Sequence, residues 1–104
     1  MASVARTFPE TLEWCSYVED LARNIMKMRQ SGKSRFAALA FVQKLEAAGE
    51  IASETANLAI AMIDDAFEEP VETGTAQKVR AIEGFRNRWG IICEALDCVK
   101  GPPK

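Results

Sequence analysis

Apolar residues recur at three- and four-residue spacing along almost the whole chain, and no alternating stretch is long enough to read as a strand. The first stripe is Leu12, Cys15, Val18, Ala22, Ile25 and Met26. Ahead of it, Thr7-Phe8-Pro9-Glu10 has the form of a capping box, in which the threonine hydroxyl accepts an early amide N–H and the glutamate reaches back. Gly32 is placed to stop this helix in the left-handed conformation that glycine adopts cheaply, and Ser34 to cap the next. The second helix is expected to run to about Ala48 and to stop at Gly49. Ser53 is expected to cap a third, whose stripe is Ala56, Ala59, Ile60, Ile63, Ala66 and Phe67 and which Pro70 ends. Thr73 or Thr75 opens a fourth, carrying Val79, Ile82, Phe85, Trp89, Ile92, Leu96 and Val99, with Trp89 expected in the core. Gly101-Pro102-Pro103 closes it. Four helices with short connections predict an all-α fold, an antiparallel up-down-up-down four-helix bundle. At 104 residues the chain fits one helical domain, with 1–6 and 101–104 as flexible ends.

Gly32-Lys33-Ser34 also ends the phosphate-cradling motif G-x-x-x-x-G-K-[ST]. That motif needs a preceding strand and an earlier glycine. Here the earlier position is Lys27 and the preceding segment is helical. A helix-stop glycine followed by a helix-start serine accounts for the triplet without a nucleotide.

Composition narrows the chemistry further. Histidine is absent, which removes the commonest general base, the commonest metal ligand and every histidine-activated nucleophile. Three scattered cysteines without a C-x-x-C pair do not make a zinc site. A net charge of −2 does not suit a nucleic-acid binder, which needs a basic footprint. The longest apolar run, Phe36 to Val42, is far shorter than the ~20 residues of a membrane span. The expectation is therefore a chain with no catalytic residues, metal or cofactor, and with neither nucleic acid nor membrane as partner.

Charge is segregated. From Leu21 to Leu45 every charged residue is basic, and from Glu46 to Glu72 every one is acidic. In an antiparallel bundle these blocks face each other and can pair internally. Asp64, Asp65, Glu68 and Glu69 nevertheless crowd a helix C-terminus, where the macrodipole disfavours negative charge, and form like-charge pairs four residues apart. Local rules tend to be broken at functional sites, so these four carboxylates are the expected partner-binding patch, facing a protein with a basic surface. Phe36-Ala37-Ala38-Leu39-Ala40-Phe41-Val42 is apolar all round, which means deep burial or a subunit contact. Phe36, Leu39, Ala40 and Phe41 are the candidate oligomer face, giving a homodimer as an expectation.

Cys15 sits early in the first helix and Cys93 late in the fourth, near one end of an antiparallel bundle. Two readings stay open: a Cys15–Cys93 bridge closing a long loop, or buried thiols with Cys98 as a spare. No basic start and apolar stretch of a leader is seen at the N-terminus, so the cytoplasm is the expected compartment, with the periplasm as the alternative if a leader was trimmed.

Most of the chain resembles small helical proteins of proteobacteria and their phages. The shared pattern is a cysteine before I-M-x-x-R-Q-x-G (Cys15; Ile25, Met26, Arg29, Gln30, Gly32), then F-x-x-P (Phe67, Pro70), then A-I-x-x-F-x-N (Ala81, Ile82, Phe85, Asn87), then a second cysteine (Cys93). The resemblance implies a helical accessory protein and assigns no activity. The expected function is a non-enzymatic binding module that inhibits or bridges a larger host protein. The alternative is a disulfide-stapled periplasmic immunity or stress protein.

Overall fold

Two glycines determine where the first three helices turn. Gly32 (φ 86°) and Gly49 (φ 77°) are the positive-φ residues among those described, and each is followed by the same pair of bonds. Gly32 N–H reaches Arg29 O and Lys33 N–H reaches Met28 O, while Gly49 N–H reaches Glu46 O and Glu50 N–H reaches Leu45 O. This is the Schellman arrangement, which satisfies the last carbonyls of a helix at the cost of one left-handed residue. A Cβ at either glycine would meet nothing within 4 Å, so backbone conformation selects the residue and space does not.

The computed structural model describes the backbone of residues 8–100 and the side chains of residues 14–95. Its elements are α1 (Phe8–Gln30), α2 (Arg35–Ala47), α3 (Ser53–Ala66) and α4 (Thr75–Lys100), with no strand among the described residues. None of these helices is long and apolar enough to cross a membrane. The expected flexible ends, the capping box at Thr7 and Glu10, the Gly101-Pro102-Pro103 stop and the side chains of Leu12, Leu96, Cys98 and Val99 lie outside the described residues.

Ser34 caps α2 as its position predicts, its hydroxyl accepting the Ala37 N–H at 3.0 Å. Ser53 does not cap α3. The N-cap is Ala52, which offers no side-chain acceptor, and Ser53 instead donates to the Glu46 carboxylate across the α2–α3 turn. At its far end α3 stops at Ala66, before Pro70, because Glu68 N–H and Glu69 N–H fold back onto Asp65 O and Ala66 O in tighter i→i+3 bonds.

The four helices form an all-α bundle. α1 packs most extensively against α4, α2 against α3, and the two pairs join through α1 and α3. Side-chain partners fix the directions: Glu19 with Arg86 and Arg23 with Glu83 make α1 and α4 antiparallel. Arg35 with Asp64, and Ser53 with Glu46, do the same for α2 and α3. The core is centred on α1 (Val18, Ala22, Ile25, Met26) and α3 (Ala59, Met62, Ile63), with Ala38 and Val42 from α2 and Phe85 from α4. Because α4 touches mainly one neighbour, its buried strip is narrower than its apolar spacing suggests. Ile82 and Trp89 are half-buried, and Val79 is exposed.

Where α1 ends, one residue joins three segments. Gln30 is 3% exposed, a buried polar side chain at the position that continues the Ala22–Met26 stripe. Its Nε2 donates to Pro70 O at 2.9 Å, and its Oε1 accepts the Glu72 N–H at 2.8 Å. Its backbone carbonyl accepts from Lys78 Nζ at 2.7 Å. Next to it, Arg29 donates to Glu69 O at 2.8 Å, with its guanidinium 5.1 Å from the centre of the Phe67 ring. The Arg-Gln and Phe-x-x-Pro parts of the sequence pattern therefore meet, and they serve the fold: they pin the α3–α4 connection to the end of α1. Gln30→Ala should cost about 2–3 kcal/mol in urea unfolding, because it strips partners from Pro70 O and Glu72 N–H. The Glu72 amide should exchange with solvent faster in the variant. A loss under ~0.5 kcal/mol would show that the connection is held by other contacts.

Candidate functional site

Arginines answer most of the acidic cluster at the end of α3. Asp64 is paired with Arg35 at the start of α2. Asp65 accepts from Arg88 Nη2 at 2.8 Å and from Trp89 Nε1 at 2.9 Å, both on α4. Glu69 lies 3.7 Å from Arg88. Glu68 alone of the four has no side-chain bond or ion pair among the described residues, and it is exposed. The four carboxylates therefore do not stand as the open patch that their sequence position suggests. Opposed blocks predicted the Arg35 pair. They did not predict Arg88, which comes from a mixed-charge helix outside the basic block.

The dipole cost at the helix end is offset by these cations, and Asp65 also satisfies the indole N–H of a half-buried tryptophan. Exposed ion pairs contribute little. A hydrogen bond from a part-buried indole to a carboxylate is worth more.

The second candidate, the apolar segment of α2, is divided by the fold. Ala38 and Val42 are buried, and Leu39 and Phe41 are half-buried against the core. Phe36 projects from the first turn, 80% exposed. Beyond it, Ala37, Ala40, Phe41, Gln43 and Lys44 line a shallow depression along the helix. The expectation of an all-round contact segment thus resolves into one core-facing edge and one outward apolar face. Of the four candidate residues, Phe36, Ala40 and Phe41 border that outward face, while Leu39 turns towards the core.

Cys15 and Cys93 are joined as a disulfide, with Cα atoms 5.7 Å apart, so the bridged reading describes the structure and the free-thiol reading does not. Both cysteines are buried. From the bridge inward, α1 and α4 are laced by charge. Arg23 binds both oxygens of Glu83, and Arg86 binds Glu83 at 3.0 Å and Glu19 at 2.7 Å. Hydrogen bonds from Arg23 and then Arg86 hold the Glu83 carboxyl below its ordinary range, and Glu83 in turn raises the Arg86 guanidinium. Gly90 lies buried against this ladder, where a Cβ would fall 2.2 Å from Glu19 Oε2. These displaced ionisations belong to a helix–helix staple.

Compared with family models, curated proteins and solved structures, the chain finds no match.

Two adjacent carboxylates should separate structure from surface. Asp65→Ala should lower stability by about 1–2 kcal/mol, since it strands the Trp89 N–H as well as freeing Arg88. Glu68→Gln should change it by less than ~0.5 kcal/mol. Equal effects in urea unfolding would mean that the Trp89–Asp65 bond contributes nothing to the fold.

Proposed function

We propose that this chain is a non-enzymatic protein-binding module, a bacterial or phage accessory protein that inhibits or bridges a larger protein through the α2 face. The observation that carries the reading is Phe36, a large aromatic side chain 80% exposed beside a depression lined by Ala37, Ala40 and Phe41. Exposed aromatic anchors next to small apolar hollows, bordered by polar groups, are the usual centres of binding energy in protein interfaces. The neighbouring Arg35–Asp64 pair is half-exposed and supplies the polar border. A partner with an apolar pocket and a basic group beside it fits this face, because the basic group can compete with Arg35 for Asp64. The absence of histidine from the chain supports a binding role over acid–base or metal chemistry.

One observation favours a second reading of the compartment. The Cys15–Cys93 bridge suits an oxidising environment, and with it a stapled periplasmic protein of the immunity or stress type. The docking face is the same in either compartment.

Capture of partners from the native cell, followed by titration with the isolated partner, tests the docking face. Phe36→Glu should weaken binding at least about thirtyfold, the effect of losing a hot-spot side chain, while the unfolding midpoint stays in place. Undiminished binding by a folded Phe36→Glu protein would remove the α2 face from consideration. Thiol counting on denatured protein from its native compartment decides between the two readings. One reactive thiol of the three is expected if the bridge forms there, and three would return the protein to the cytoplasm.

A further inference from the structure

Along α4 one stripe is exposed throughout: Arg80, Gly84, Asn87, Ile91 and Glu94. Their spacing of four, three, four and three residues is that of the contact seam of a two-helix coiled coil. No residue of this stripe is used by the fold. Ile91 is 67% exposed, and Arg80 and Glu94 make no ion pair among the described residues. Gly84 is the least expected of the five. It sits inside a 26-residue helix, where glycine is the poorest choice after proline, and nothing lies within 4 Å of the place its Cβ would occupy. Neither a turn nor a close neighbour within the chain explains it.

We infer that this face pairs with the same face of a second copy, the two α4 helices lying antiparallel about a twofold axis between Asn87 and Arg88. An isologous contact requires a surface that complements itself under such a rotation. This one does. With the axis there, residue i lies opposite residue 175 − i, so Gly84 faces Ile91 of the second copy and Ile91 faces its Gly84. Each exposed isoleucine then covers the bare backbone of a glycine, which lets the helices approach closely. Arg80 comes within one position of Glu94 of the second copy, and the reverse pair forms at the other end of the seam. The charges are arranged for the antiparallel pairing and against the parallel one, which would set Arg80 beside Arg80. The α2 face lies outside this contact, so the inference stands apart from the proposed docking role.

Sedimentation equilibrium of the full chain over the micromolar range tests it. A dimer is expected, and Ile91→Arg should convert it to a folded monomer. Arg80→Glu and Glu94→Arg should each weaken dimerisation by about tenfold or more, because each sets like charges together twice per dimer. The two changes in one chain should restore it, which no intramolecular account predicts, since ~1.5 Å per residue puts positions 80 and 94 about 21 Å apart along the helix. A wild-type monomer at several hundred micromolar would overturn the inference. So would a dimer dispersed by Phe36→Glu and indifferent to Ile91→Arg, or a double charge exchange that fails to restore association. Circular dichroism on each variant confirms that the helices are retained.

Discussion

The amide of Gln30 decides where the second half of the molecule goes. A buried amide must find partners for both its oxygen and its nitrogen, and here Pro70 O and Glu72 N–H provide them. That fixes the α3–α4 connection against the end of α1. Lys78, reaching the Gln30 carbonyl, sets the first turn of α4 beside the last turn of α1. From that point the register of the two long helices is settled. Arg23 falls opposite Glu83, Glu19 opposite Arg86 and Gly90, and Cys15 opposite Cys93. Hydrogen bonds at one end of the helix pair thus bring two sulfur atoms together at the other.

The two ends of this pair are held by different physics. The polar end relies on neutral and charge-assisted hydrogen bonds, each worth on the order of 1 kcal/mol net. At the sulfur end, closing a loop of sequence separation 78 removes chain entropy worth about 4–5 kcal/mol in the simple loop model. The charge ladder between them is partly exposed, so each of its pairs adds little. For a small domain the bridge is a substantial fraction of total stability. Reduction would leave the same helices with a far smaller margin.

Local features were legible in the sequence, and features depending on which helix faces which were less so. Gly32, Gly49 and Ser34 act where their spacing placed them, because a Schellman turn or an N-cap needs only a few consecutive residues. Ser53 departs from its expected capping role because Glu46, seven residues earlier and on another helix, competes for its hydroxyl. The fourth stripe overstated burial at Val79 and Trp89, since periodicity shows an apolar face without showing how much of it is covered. The acidic cluster is the sharper case. Its anomaly was real in sequence, but Arg88 and Trp89 answer it from a helix that follows it in the chain. Gln30 carries a signal of its own: a glutamine on the extension of an apolar stripe must bury its amide or interrupt the stripe. The α2 face was visible as an apolar run, but its division between Val42 inside and Phe36 outside required the packing of α3.

The bridge also makes the described fold a closed circuit. Any load applied to the segments outside Cys15 and Cys93 enters at one cysteine and leaves at the other, a single covalent step across. The 77 residues between them, including all of α2 and α3, lie off that path. The tertiary contacts of this loop bear none of the tension. In the oxidised state the protein is therefore mechanically much shorter than its chain length, a fixed strut carrying a loop that can engage another surface without being drawn taut.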